Sequence, residues 1–369
     1  MRYILSLMVA LYAALSTPVQ AAQPQKRVAI LISSYGQEGR ENLTYDLEEL
    51  AQSYLVLHEN GVKIDIISPK GGPVLVHSKK DDLPYIQKFK TETPALQQLQ
   101  NTLASDDVTA EDYDAILVVG GDGAMFDLPV HEATTFLINE FAASSKPIAA
   151  VCHGPAALVN AKDKNGNYLV AGKRVNSFTN LEEQAFGGDV INQLPFLLED
   201  KLRERGATYV NNAPMLPYVA VDGSLITAQN PVAVAKATEA LLVQLGITPK
   251  ERKAFKDEAT MRLIQEARTA GSYLIDVALK KEPELYDLNY LALYGFYSYK
   301  LAETTAAKQL ELEIMETVGR HFSHPMYSYA LINALNEQGF THKAQAEFTR
   351  ATTQYPESKE ISSLAGLFE

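Results

Sequence analysis

The most informative stretch of this chain is residues 148–155, which read I-A-A-V-C-H-G-P. The apolar residues before Cys152 predict a buried strand, and Gly154 and Pro155 predict a sharp turn into a helix. A nucleophile elbow has this outline, with a reactive side chain exposed at the carboxyl edge of a sheet. The helix N-terminus and the imidazole of His153 predict a thiol pKa below its ordinary value.

Outward from this stretch, strand-like and helix-like segments alternate. Four short apolar runs occur at residues 27–33, 63–68, 114–119 and 147–151. The segments between them carry apolar residues at helical spacing. This alternation predicts an α/β fold with a doubly wound, flavodoxin-like parallel sheet, whose ligands lie beyond the carboxyl ends of its strands. We also expect β-ribbons at 166–178 and 218–228, and a helix at 231–245 that closes the domain.

Gly120-Gly121 ends the third of these strands. In a parallel sheet this end can lie beside the elbow, where the backbone N–H groups of Gly121 and His153 would form an oxyanion hole. A plain tight turn is the alternative interpretation of the two glycines.

Residues 248–369 contain helix formers and no strand-like run, which predicts a separate, all-α helical-repeat domain. Ala344, Phe348, Ala351 and Pro356 have the spacing of the second helix of a tetratricopeptide repeat. The region would bind a peptide or partner protein, or else pack on the enzyme domain or form a homodimer. We expect a chain ending near Gly246 to stay folded, because domain boundaries fall where few contacts cross.

Residues 1–21 have an early arginine, a short apolar run and small residues before a cleavage point. This pattern predicts a signal peptide, followed by an α/β domain over 22–247 and the helical domain over 248–369. A membrane anchor is the alternative, but the run is short for a bilayer span. We therefore expect a periplasmic protein with no membrane contact after cleavage.

The 369 residues are 46% apolar and 21% charged, which indicates a soluble globular chain of about two domains. The net charge of −12 and the absence of a basic stripe argue against nucleic acid as a partner. A single cysteine excludes internal disulfides and cysteine-based metal centres. His58, His77 and His131 lack regular ligand spacing, so we expect no metal site built on them.

Four motifs resemble one known family: D-Y-D-A-I-L-V-V-G-G (112–121), A-V-C-H-G-P-A-A-L (150–158), S-F-T-N-L-E-E (177–183) and L-I-T-A-Q-N-P (225–231). The family is the ThiJ/PfpI superfamily, which has the class I glutamine-amidotransferase-like fold. The chain is most similar to its heat-shock-protein-like branch, whose members are described as chaperones, glutathione-independent glyoxalases and deglycases.

The resemblance implies a site built on Cys152, with His153 as the catalytic histidine and Glu49 approaching the thiol from the first helix. It implies that an acid in the F-T-x-x-E-E segment orients the histidine; this acid is assigned to Glu183, with Glu182 as the competing assignment. The local sequence pattern by itself predicts instead that Glu49 forms a capping box with Asp46 and is exposed.

Three features depart from the family pattern. Asp122 stands where the family has histidine in Gly-Gly-His-Gly, Ser53 replaces a usual proline, and the helical region has no counterpart. The function expected is a cofactor-independent cysteine enzyme that acts on small reactive carbonyls, as a glyoxalase or a deglycase. The alternatives are a non-catalytic periplasmic holdase that binds partners and a cysteine peptidase on the same site.

Overall fold

A computed structural model describes residues 25–36, 40, 42–75 and 80–368 of the chain. The predicted signal peptide and His77 lie outside the described residues. Ten strands are assigned in this part of the chain: β1 (Arg27–Leu31), β2 (Lys63–Ser68), β3 (Lys70–Gly72), β4 (Thr102–Ala104), β5 (Ala115–Val118), β6 (Ile148–Val151), β7 (Arg174–Val175), β8 (Thr208–Tyr209), β9 (Val219–Asp222) and β10 (Leu225–Ala228).

The helices of the first two thirds of the chain are α1 (Leu47–Glu59), α2 (Pro84–Phe89), α3 (Thr93–Gln100), α4 (Ala124–Asp127), α5 (Glu132–Ala143), α6 (Asn180–Phe186), α7 (Leu198–Glu204) and α8 (Val234–Gln244). The C-terminal third contains α9 (Lys256–Ala270), α10 (Tyr273–Lys281), α11 (Leu288–Leu301), α12 (Thr305–Gly319), α13 (Pro325–Glu337), α14 (Thr341–Gln354) and α15 (Lys359–Ser362).

Eight strands form one sheet in the order β3-β4-β2-β1-β5-β6-β10-β9. All neighbours pair in parallel except β3 with β4 and β9 with β10. The chain adds β2 on one side of β1 and β5 on the other, so the order of the strands reverses beside β1. Ligand sites form at such switch points in open parallel sheets.

Helices cover both faces of the sheet. One apolar core joins the sheet to α1 and α8, and a second joins it to α5 and α7. This three-layer arrangement explains why the parallel strands are apolar throughout. The predicted doubly wound fold is confirmed, with strand ends displaced by one or two residues.

The predicted ribbon at 218–228 is the hairpin β9–β10, which turns at Gly223 with a positive φ of 62°. Residues 166–178 differ from the prediction. The structure has there the short strand β7, parallel to β8, and one bridge between Lys162 and Tyr168.

The C-terminal region is helical, as expected, and α11 packs on α12 and α13 on α14. At Gly295 in α11 a Cβ atom would overlap the hydroxyl of Tyr327 in α13, so these two helices approach closely. The tetratricopeptide assignment stays a prediction.

The helical region is not packed as an independent body. Its core contains Met215, Leu216 and Val232 from the α/β part together with side chains of α9 to α15. On α9, Asp257 accepts hydrogen bonds from Gln52 Nε2 of α1 and from the Tyr85 hydroxyl of α2, both at 3.1 Å. The proposed boundary at 247 lies between α8 and α9, but many buried contacts cross it.

No helix in the described part of the chain is long and apolar enough to cross a bilayer.

Candidate active site

Cys152 directly follows β6 and has a left-handed backbone with φ of 55°. A non-glycine residue seldom adopts this conformation, and functional sites are where such strain is usually found. The flanking hydrogen bonds hold it in place: Cys152 N–H donates to Ala228 O at 2.8 Å, and Phe178 N–H donates to Cys152 O at 2.9 Å.

The segment after Cys152 is a 3₁₀ turn over Gly154–Leu158, where the sequence predicted the start of a helix. Such a short turn aligns fewer peptide dipoles than an α-helix does. The partial positive charge of a helix N-terminus therefore stabilises the Cys152 thiolate less than the elbow pattern implied.

Neighbouring backbone packs so closely against positions 120 and 121 that only glycine fits at either one. A Cβ atom at Gly120 would lie 2.7 Å from His153 N and 2.8 Å from Val151 O. At Gly121, whose φ is 93°, a Cβ atom would overlap Asp46 N at the start of α1. The glycines therefore let the end of β5 fit between α1 and the elbow, and the pocket reaches Gly121.

Glu49 lies in the first turn of α1 and is fully buried, so the exposed position expected from local pattern is wrong. Its Oε2 accepts a hydrogen bond from Gly120 N–H at 2.7 Å. Asp46 caps the helix by accepting from Glu49 N–H at 2.9 Å, but Asp46 N–H donates to Gly120 O at 3.1 Å. Because the Glu49 side chain does not return to Asp46, the two residues form only half of a capping box.

Glu49 and Cys152 are close enough for each to shift the pKa of the other. Burial raises the pKa of Glu49 well above its ordinary value, and the Asp46 carboxylate raises it further. Burial also raises the pKa of Cys152, followed by the charges of Glu49 and Asp46. A low thiol pKa was predicted, and the structure contradicts it, because the thiol is buried and carboxylates lie close to it.

His153 lies between two carboxylates. Its Nε2–H donates to Glu183 Oε1 at 2.5 Å, and its Nδ1 lies 3.8 Å from Asp122 Oδ1. Burial alone would lower the pKa of His153, but Glu183 and then Asp122 raise it. The ring of Phe178 packs edge-to-face on the imidazole at 4.9 Å.

Glu183, and not Glu182, is the carboxylate that contacts the histidine. Glu182 instead accepts hydrogen bonds from Thr179, Met215, Gln229 and Asn230, and so fixes loops around the sheet edge.

A pocket of about 190 Å³ opens above the sulfur. The structure brings Cys152, His153, Glu183 and Gly121 together in its lining, with Glu49 buried beside the thiol. The lining also contains residues that the sequence did not single out as pocket residues, namely Thr44, Asp46, Glu48, Phe178, Phe186 and Pro231. Asp46 and Glu48 closely precede Glu49 in the sequence, and this proximity was the available signal.

His58 and His131 lie outside this lining, at the end of α1 and at the N-terminus of α5. Within the described ranges, no group of three or more His, Cys, Asp or Glu side chains is arranged to hold a metal ion.

The fold and site together define an α/β protein with a cysteine at a strand-to-turn elbow and a buried carboxyl beside it. The chain belongs to the DJ-1/PfpI family, whose sequence profile matches residues 27–244. The match ends where the helical region begins.

Among known proteins, the chain is 27% identical over 218 residues to a glutathione-independent glyoxalase of Schizosaccharomyces pombe, covering 56% of this chain and 90% of that one. It is 29% identical over 223 residues to a glutathione-independent glyoxalase of Saccharomyces cerevisiae, covering 56% and 93%. The solved structure of the rapid encystment protein of Francisella tularensis is 32% identical, with a TM-score of 0.56, and covers 60% and 99%.

Proposed function

We propose that this protein is a glutathione-independent glyoxalase that converts small 2-oxoaldehydes, such as methylglyoxal, into 2-hydroxy acids. The observation that carries the proposal is the buried Glu49 carboxyl beside Cys152 at the base of a small pocket. The yeast relatives named above point to the same activity. Deglycation of glycated amines would use the same residues.

The pocket volume supports a small substrate. Sites for drug-sized ligands span roughly 300–1,000 Å³, and this pocket has about 190 Å³. A three-carbon aldehyde fits such a space.

The chemistry needs no redox partner. Cys152 Sγ bonds to the aldehyde carbon, and the thiol proton ends on the former carbonyl oxygen, giving a hemithioacetal. Glu49 removes the remaining hydrogen of that carbon as a proton and returns it to the adjacent ketone carbon, while the hydroxyl proton of the hemithioacetal moves to the ketone oxygen, which leaves a 2-hydroxy thioester. Water then cleaves the carbon–sulfur bond, releasing the hydroxy acid and restoring the thiol.

The other residues support this sequence. The imidazole of His153, oriented by Glu183, would transfer protons at the sulfur and at the attacking water. The N–H groups of Gly121 and His153 would stabilise negative charge on the substrate oxygen. For the cellular setting, we propose cleavage after residue 21 and a periplasmic location, where the enzyme would meet reactive aldehydes without glutathione.

The test is to incubate the purified mature protein with methylglyoxal, without glutathione or added metal, and to measure hydroxy acid formation. We expect turnover by the natural chain and none by Cys152→Ala. A chromogenic peptide ester in a parallel assay tests the peptidase alternative. Absence of turnover on either substrate by a folded protein would favour the non-catalytic holdase.

A further inference from the structure

The helical region, which lies outside the family match, reaches the wall of the Cys152 pocket. Phe186, the last residue of α6, lines the pocket. Its ring packs on the ring of Tyr297 in α11, with centroids 4.8 Å apart and planes inclined by 56°. Tyr297 is itself held edge-to-face by Phe296 at 5.1 Å.

A second contact from the same helix lies near the pocket. Tyr290 precedes Tyr297 by seven residues, which places both on one face of α11. Lys80 Nζ lies 5.5 Å from the centroid of the Tyr290 ring. Burial alone would lower the pKa of Lys80, but Tyr290 and then Glu48 and Asp46 raise it, so this lysine also faces two carboxylates of the pocket lining.

The position of α11 relative to the pocket is fixed by buried contacts. Leu291 and Tyr294 of α11 are fully buried in the core shared with Met215, Leu216 and Val232. A helix anchored in this way holds its aromatic side chains in a constant position at the pocket.

We propose that α11 supports the wall of the active-site pocket from behind, and that Tyr297 is a positioning residue that holds Phe186 and thereby limits the size of the aldehyde reaching Cys152. Phe186 is 37% exposed, so without Tyr297 one side of its ring would face solvent and the ring would be free to turn away. The selectivity among aldehydes rests on the proposed function, whereas the access of reagents to the Cys152 thiol depends only on the geometry of the pocket.

Access can be measured without activity, because Cys152 is the single cysteine of the chain and intact mass reports on it alone. The rates of alkylation by iodoacetamide and by a bulky aryl maleimide are compared at one pH, so that their ratio cancels changes in thiol pKa. We expect Tyr297→Ala to raise the relative rate of the bulky reagent by about 3- to 10-fold, the scale of a lost aromatic contact.

Tyr297→Phe keeps the ring and should change the ratio less than Tyr297→Ala does. Tyr273→Ala is the matched control, since Tyr273 belongs to the same helical region, is 58% exposed and does not line the pocket. An unchanged ratio in folded Tyr297→Ala, or an equal rise in Tyr273→Ala, would overturn the proposal.

If Tyr297→Ala does not fold, Phe186→Ala tests the same wall from the α/β side and should raise the ratio by a similar factor. Where both single variants fold, the alkylation ratio of the double variant should be only slightly higher than that of either single variant, because the two rings act as one unit. Fully additive effects would contradict a shared wall.

With substrates, Tyr297→Ala should raise kcat/KM for phenylglyoxal relative to methylglyoxal, mainly through KM, since the chemical groups are untouched. If the natural chain converts neither aldehyde, the proposed function fails, and the alkylation ratio still decides whether Tyr297 of α11 holds Phe186 in the pocket wall.

Discussion

Glu49 is the residue whose environment in the folded protein differs most from the one that its local sequence pattern predicts. Its position in the first turn of a helix suggests a solvent-exposed cap, yet it is buried between Gly120 N–H and the Cys152 thiol. A thiolate and a carboxylate side by side in an apolar site repel each other, so the pair retains a proton at neutral pH. This arrangement suits a group that must receive a proton and return it.

Glu49→Gln is expected to lower methylglyoxal turnover by roughly 10²-fold or more, the usual scale for a lost general base. The amide oxygen can still accept from Gly120 N–H, so the melting temperature should change little. Turnover and thermal unfolding measured together separate a catalytic from a structural role. Glu59→Gln, at the exposed end of the same helix, is the control and should retain activity. Retained activity in Glu49→Gln would contradict the proposed mechanism.

Asp122 is the departure from the family motif that adjoins the histidine. Its carboxylate lies 3.8 Å from His153 Nδ1, a buried nitrogen without a hydrogen-bond partner among the described residues. Negative charge here favours the protonated imidazole, as Glu183 does from the other nitrogen.

Asp122→Asn should therefore lower the pKa of His153 and shift the limb of the pH–rate profile that reports this group toward lower pH. Asp122→Glu retains the charge and should leave the limb near its original position. The measurement is kcat/KM against pH for the three proteins. A limb that stays in place in Asp122→Asn would show that Asp122 does not act through the imidazole.

At the scale of elements, the beginning of α1 combines a helix cap with the floor of the active site. Asp46 caps the helix, lines the pocket and raises the pKa of both Glu49 and Cys152. Burial, followed by the charge of Glu48, raises the pKa of Asp46 itself from 3.8 to about 7. Ionisation of Asp46 therefore costs free energy, because the side chain is buried near other carboxylates.

Asp46→Asn keeps a good helix cap and removes the charge. Because the folded pKa of Asp46 exceeds its unfolded value, the folded chain holds a proton that the unfolded chain releases, and stability falls as pH rises from about 4 to about 7. The melting temperature of Asp46→Asn minus that of the natural chain should therefore increase over this range. Asp46→Ala removes the same charge, so its stability should vary with pH as that of Asp46→Asn does, but lie about 1 kcal/mol lower through the missing cap. A difference for Asp46→Asn that does not vary with pH would contradict the raised pKa.

At the scale of the whole molecule, the α/β part and the helical region share a core. Met215, Leu216 and Val232 are buried against the helical region, and Asp257 bonds to Gln52 and Tyr85 across the boundary. The helical region therefore contributes to the stability of the part that carries the pocket.

We therefore expect residues 22–247 alone to be insoluble or to unfold at a much lower temperature than the mature chain. Exposing three apolar side chains, at roughly 1.5–3 kcal/mol each, costs on the order of 5 kcal/mol, which is comparable to the whole stability of a domain. Soluble yield, cooperative melting and methylglyoxal turnover of the two chains provide the measurement. A shortened chain that melts cooperatively and is active would support the independent domains expected from the sequence pattern.

The sequence by itself was enough for the parallel strands, the elbow at Cys152, the family and the helical character of the C-terminal third, because these depend on short apolar runs, glycine positions and local helix propensity. Tertiary structure decided that Glu49 is buried despite its helix-cap pattern, and that the contact with His153 is made by Glu183 and not by its neighbour Glu182. It also decided that burial and nearby carboxylates raise the pKa of Cys152, and that α11 packs on Phe186, a residue of the pocket lining. Each of these depends on which groups meet across long sequence separations, and on the desolvation that follows, which no local periodicity encodes.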